Sequence, residues 1–154
     1  MSTRSVIAVP DGESWKGRYV HWDGYPTGVG AQVLEIVQRD GVVKAREVLT
    51  TEHYGWSVVS SDCTDEVGPS DSDPNRWVPV PGYGVAYVNG TEQPDEWIEF
   101  GENKSWCEWA YVLHDDFLAV YEAVDSAWQH RVNIRWTKQD GLGVLLALET
   151  GDLT

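Results

Sequence analysis

The sequence predicts an α+β fold: a single domain over residues 1–154, built as a mostly antiparallel sheet with a helical pair packed on one face. Three observations carry this expectation. Apolar and β-branched runs meet turn signals at hairpin spacing near both ends of the chain, two stretches of helical period lie between them, and no internal repeat or compositional break divides the sequence. At about 100–200 residues per domain, a chain of 154 residues makes one compact unit.

The elements follow in order. Residues 4–9, Arg-Ser-Val-Ile-Ala-Val, end at Pro10-Asp11-Gly12 and read as a first strand closed by a turn. Lys16 to Trp22 forms its hairpin partner, with Tyr19 and His21 on one face and Val20 and Trp22 on the other. After the break at 23–28, Thr27 is placed to cap a helix whose Val29, Val33, Ile36 and Val37 share a face and which Gly41 stops. A second helix, Val42 to Thr51, carries Val42, Ala45, Val48 and Leu49 at helical spacing and ends near Gly55. The polar, acidic stretch at about 60–76 holds two prolines and too little apolar area to order itself, so a mobile loop is expected. Trp77 to Val80 and Gly84 to Val88 read as short edge strands, because Pro79 and Pro81 deny ladder donors. Trp106 to Leu113, a turn at His114-Asp115-Asp116, and Phe117 to Val124 give a second hairpin, and Gln129 to Trp136 a further strand. The apolar run Val144 to Leu148 fits strand or helix equally.

Charge narrows the classes of function. With 25 Asp plus Glu against 11 Lys plus Arg, the net charge is −14, which opposes a phosphate-binding face, so no direct nucleic-acid contact is expected. Solubility is the plainer reading of this balance, and imitation of nucleic-acid phosphate the sharper one. No run approaches the roughly 18 apolar residues of a membrane span, and Met-Ser-Thr-Arg-Ser lacks the apolar stretch of a signal peptide, so a cytoplasmic location without membrane contact is expected. Cys63 and Cys107 match no zinc or redox spacing and read as reduced thiols. Nine Trp against two Phe is a marked excess; most belong in the core, and the rest point to a ligand surface or a homodimer seam.

The start Thr3-Arg4-Ser5-Val6-Ile7-Ala8-Val9, the motif His21-Trp22-Asp23-Gly24-Tyr25-Pro26 with Gly28-Val29-Gly30 before a helix, and the later Glu108-Trp109-Ala110-Tyr111 resemble a family of small, functionally uncharacterised proteins. They are carried by bacteriophages and by bacteria, actinobacteria among them. The resemblance covers about the first third of the chain well and the second hairpin loosely. It implies a setting rather than an activity: an accessory factor of counter-defence or host takeover, acting in the host cytoplasm if phage-encoded.

The residues themselves direct attention to His21–Gly30, where an imidazole, an indole, a carboxylate and a phenol precede a glycine-rich helix start. Such a start offers N–H groups to an anion, Gly28 and Gly30 leave room for close approach, and Arg4 supplies a bidentate clamp. The expected ligand-binding set is therefore Arg4, His21, Trp22, Asp23, Tyr25, Gly28 and Gly30, and the expected partner a small nucleotide-like ligand or a host protein. The structural alternative has Asp23 or Thr27 capping the helix, Trp22 and Tyr25 in the core, and Arg4 paired with Asp23. A competing enzyme reading makes His21 and Asp23 the acid/base groups of a small hydrolase, with or without a divalent ion. His21, Asp23, His53, His114, Asp115 and Asp116 are suitable metal ligands, but no pair has a diagnostic spacing, so neither metal nor cofactor is assigned. Ser2 would head a strand as an N-terminal nucleophile if Met1 were removed, yet no catalytic set is legible and none is assigned. The acidic residues Asp62, Asp65, Glu66, Asp71 and Asp73 read as a solvated run, with phosphate mimicry as the alternative.

Overall fold

The computed structural model describes residues 3–64, 76–90, 96–101, 107–125 and 127–151. The expected mobile loop falls mostly on 65–75, outside the described residues, as do Ser2 and Trp106. Among the described residues the fold is α+β, with nine strands in one mostly antiparallel sheet.

The strands are β1 (Ser5–Asp11), β2 (Ser14–Val20), β3 (Gly55–Val59), β4 (Trp77–Val80), β5 (Gly84–Tyr87), β6 (Ile98–Glu99), β7 (Trp109–Leu113), β8 (Phe117–Val124) and β9 (Ala127–Arg135). Their order is β4-β5-β3-β2-β1-β7-β8-β9, with β6 paired to β2. Both expected hairpins form, β1 with β2 and β7 with β8. Two junctions are parallel, β1 with β7 and β2 with β3. The β1–β7 junction lies where both sheet faces are covered: Val6, Ile7 and Ala8 face Ala110, Tyr111 and Val112, and all are fully buried.

Helices α1 (Ala31–Asp40), α2 (Val42–Arg46) and α3 (Gly141–Thr150) pack on one face. There Val33, Ile36 and Val37 of α1 and Leu145 and Leu148 of α3 cover Ile7, Trp56, Tyr111, Leu118 and Ile134. The expected pair thus gains a third helix, since the apolar tail is helical and its Asp140 side chain accepts from the Gly143 N–H as an N-cap. The opposite face carries Val6, Ala8, Trp15, Tyr19, Ala110, Val112 and Trp128. Trp15 and Trp128 have ring centroids 5.4 Å apart. Their strands are four steps apart, about 19 Å in a flat sheet, so the sheet coils around its tryptophan-lined face.

Four expectations are corrected. Thr27 does not cap: it sits inside a π-helical turn, Pro26–Gly30, that precedes α1, and its amide and hydroxyl both donate to Glu149. The second helix is two pieces, α2 and a π-helical turn over Glu47–Glu52, and Gly55 opens β3 instead of ending a helix. β5 is not an edge strand, since it lies between β4 and β3 and all four of its residues are buried. Pro79 stands on β4, which is the edge. β3 and β6 were not expected; β3 is held by parallel pairing to a strand far off in sequence, and β6 spans only two residues.

Gly41 does stop α1, with φ of 89° at its C-cap. Beside it, Arg39 donates to Ser61 O at 2.9 Å, to Gly82 O at 2.8 Å and to both Asp40 carboxylate oxygens, while the Tyr83 hydroxyl donates to Asp40 at 2.6 Å. These bonds latch the end of α1 to the β3 and β5 ends of the sheet.

Candidate functional site

Beyond the end of β2 the chain stays tied to β3, because the His21 and Trp22 amides donate to Trp56 O and Ser57 O, both at 3.0 Å. Asp23 then turns the chain at φ 57°, a left-handed conformation that Asp tolerates better than most side chains. The loop is pinned from below: the Gly24 amide donates to Thr3 O at 2.8 Å, and the buried Tyr111 hydroxyl donates to Gly24 O at 2.6 Å. Trp22 and Tyr25 therefore stand outward, 46% and 38% exposed, and not in the core.

The strand alternation that sets Tyr19 and His21 on one face brings their side chains together, with a hydrogen bond of 2.7 Å between the phenol and Nδ1. Burial pushes the Tyr19 hydroxyl up to about 12, so it remains a donor. Burial first, and the Arg4 cation second, lower the His21 pKa. In the tautomer that accepts from Tyr19 at Nδ1, the neutral imidazole keeps its proton on Nε2 as a further donor. The Trp22 ring meets the imidazole edge to face at 4.7 Å. The charge of Arg4 also acts on Tyr19 and Cys107, which places it on this side of β1. His21 and Trp22 thus form one group beside Tyr19, within reach of the Arg4 charge.

Asp23 and Tyr25 make a second, more exposed group, joined by a long hydrogen bond of 3.4 Å. No hydrogen bond links Asp23 with His21, so the carboxylate does not orient the imidazole as an acid/base dyad requires. The helix start is already filled. Asp23 O accepts from the Val29 amide, Tyr25 O from that of Gly28, and the Glu149 carboxylate occupies the position at Thr27 where an anion would sit. Gly28 and Gly30 serve close packing: a Cβ on Gly28 would lie 2.1 Å from Asp23 O, and one on Gly30 3.0 Å from the Tyr111 ring.

The residues suited to metal binding stay apart, and no cluster of three or more His, Cys, Asp or Glu occurs among the described residues. His53 packs on Trp56 at 5.2 Å, and His114 stacks on Phe117 at 4.5 Å in the β7–β8 turn. Neither cysteine forms a disulfide; Cys107 is buried, which drives its thiol up to about 12. Of the acidic run only Asp62 is described, accepting from the Ser60 hydroxyl, and Asp65, Glu66, Asp71 and Asp73 lie outside the described residues. Two participants were missed in the sequence: Tyr19, whose spacing of two from His21 was the available signal, and Glu149, which is 122 residues from Thr27 and gave none.

No family model matches the chain, and neither the curated proteins nor the solved structures give a match. No helix among the described residues is long and apolar enough to cross a membrane.

Proposed function

We propose that the chain is a binding protein that holds a small anionic, nucleotide-like ligand at Arg4, His21 and Trp22. The observation that carries this reading is the 2.7 Å bond from Tyr19 that fixes His21 against the half-exposed Trp22, on the side of β1 where the Arg4 charge is felt. Arg4 and the His21 N–H supply donors for a phosphate, and the Trp22 face supplies a stacking surface for a base. The anion goes to this group and not to the helix start, which Glu149 fills. The accessory role in counter-defence or host takeover rests on the sequence resemblance and belongs to this proposal.

The test is a titration with nucleoside monophosphates, followed by the His21 ring and Trp22 indole resonances. Binding should move both, and Trp22→Ala and Arg4→Met should each weaken it. Unmoved His21 and Trp22 signals at millimolar nucleotide would overturn the proposal. Turnover of the nucleotide that disappears in His21→Ala would replace it with the hydrolase reading.

A further inference from the structure

The opposite end of the sheet from β4 is β9, whose 9 residues form an edge four steps from β2. Among the described residues one backbone hydrogen bond reaches its outer side, from the Lys138 amide to Arg135 O at 3.0 Å, and the outward groups before it stay unpaired. Its charge is unlike the rest of the molecule. Residues 126–139 contain Arg131, Arg135 and Lys138 out of 11 Lys and Arg, together with His130, and none of the 25 Asp and Glu. Arg131 is ion-paired with Glu122 of β8 at 3.5 Å, so the local reversal of field on a chain of net charge −14 rests on Arg135 and Lys138, and it coincides with unpaired ladder groups.

We propose that the β9 edge receives an extended acidic segment of a partner protein as an added antiparallel strand. The pairing with β8 shifts register around Arg131, which leaves Val132–Arg135 as the regular stretch available to a new strand. Along it Val132 and Ile134 face the helical core, and Asn133 and Arg135 point to exposed positions. An incoming strand that alternates β-branched with acidic residues matches both faces. Gly141 of α3 lies against Ile134 and the next residue, Leu142, is 57% exposed, so apolar surface adjoins the edge on the side where the β-branched residues would fall. A second copy of this chain fits poorly. An antiparallel β9 pair centred on Asn133 sets Arg131 opposite Arg135, and one centred on Arg131 sets that residue opposite itself.

The probe is a capped peptide of about eight residues alternating glutamate with valine, added to the full chain and read by amide hydrogen exchange and heteronuclear NMR. The expected result is protection of outward amides within Val132–Arg135, with Arg135→Glu weakening binding about tenfold and the same peptide N-methylated at alternate residues failing to bind. Arg135 is exposed, so its replacement leaves the fold intact. Absence of protection on β9, equal binding by the N-methylated peptide, or equal binding by a lysine-valine counterpart would each overturn the proposal. Protection that arises without peptide as the protein is concentrated, together with a dimer in sedimentation, would overturn it in favour of a second copy.

Discussion

Among the bonds that hold the loop presenting His21 and Trp22, one is a buried side-chain hydrogen bond whose removal yields a defined cost. Tyr111 of β7 is fully buried and its hydroxyl donates to Gly24 O at 2.6 Å. Tyr111→Phe keeps the ring against Gly30 and deletes only the donor, which leaves a buried carbonyl without it. Leaving such a group unsatisfied costs about 1–3 kcal/mol, and the short bond deep in the core argues for the middle of that range, about 2 kcal/mol. For a chain of this size about 2 kcal/mol corresponds to a fall in Tm of roughly 4–8 °C. Urea unfolding with an unchanged m-value measures it, and amide exchange should quicken locally at Gly24 and Val29, whose backbone the bond anchors. Tyr25→Phe is the control: its bond is exposed and 3.4 Å long, so its loss should cost less than about 0.5 kcal/mol. A Tyr111→Phe protein within about 0.5 kcal/mol of the parent, with unaltered exchange at Gly24, would refute the assignment of this bond as the loop's anchor.

Other outcomes follow from the same geometry. Gly28→Ala places a methyl 2.1 Å from Asp23 O, so the turn must shift at about 1–3 kcal/mol, seen as a lower urea midpoint. Glu149→Ala removes the acceptor of the Thr27 amide and hydroxyl and should cost about 1 kcal/mol by the same measurement. Arg4→Met takes away a cation that lowers the His21 pKa, so an NMR titration of that ring should move upward toward the ordinary value. Asp40 is held down to about 2, first by Arg39 and then by Tyr83. Its folded pKa lies below its unfolded one, so its contribution is present above about pH 4 and is lost as pH falls toward 2. Melting curves of the parent and Asp40→Asn should therefore converge over that interval.

Local signals carried much of the fold. The β1–β2 and β7–β8 hairpins were legible because turn residues and alternating β-branched positions sit within a few residues of each other. The apolar face of α1 was legible because Val33, Ile36 and Val37 repeat at helical period and all are buried. Segments whose state depends on distant partners were not: β3 takes its strand state from β2 and β5, and residues 144–148 become helical where Leu145 and Leu148 meet the core. The same division runs through the site. That His21 and Tyr19 share a face follows from strand alternation, whereas the role of Thr27 turned on Glu149 at the far end of the chain.

The sequence by itself determined the α+β class, the two hairpins and the shared face of Tyr19 and His21, since each rests on signals within a few residues. Only the tertiary structure decided that the helix start is closed by a carboxylate of α3, that Gly28 and Gly30 pack instead of admitting a ligand, and that a basic strand stands at the sheet edge. Those outcomes depend on which surfaces long-range burial brings together, and burial of apolar area is non-directional, so local spacing leaves no trace of it.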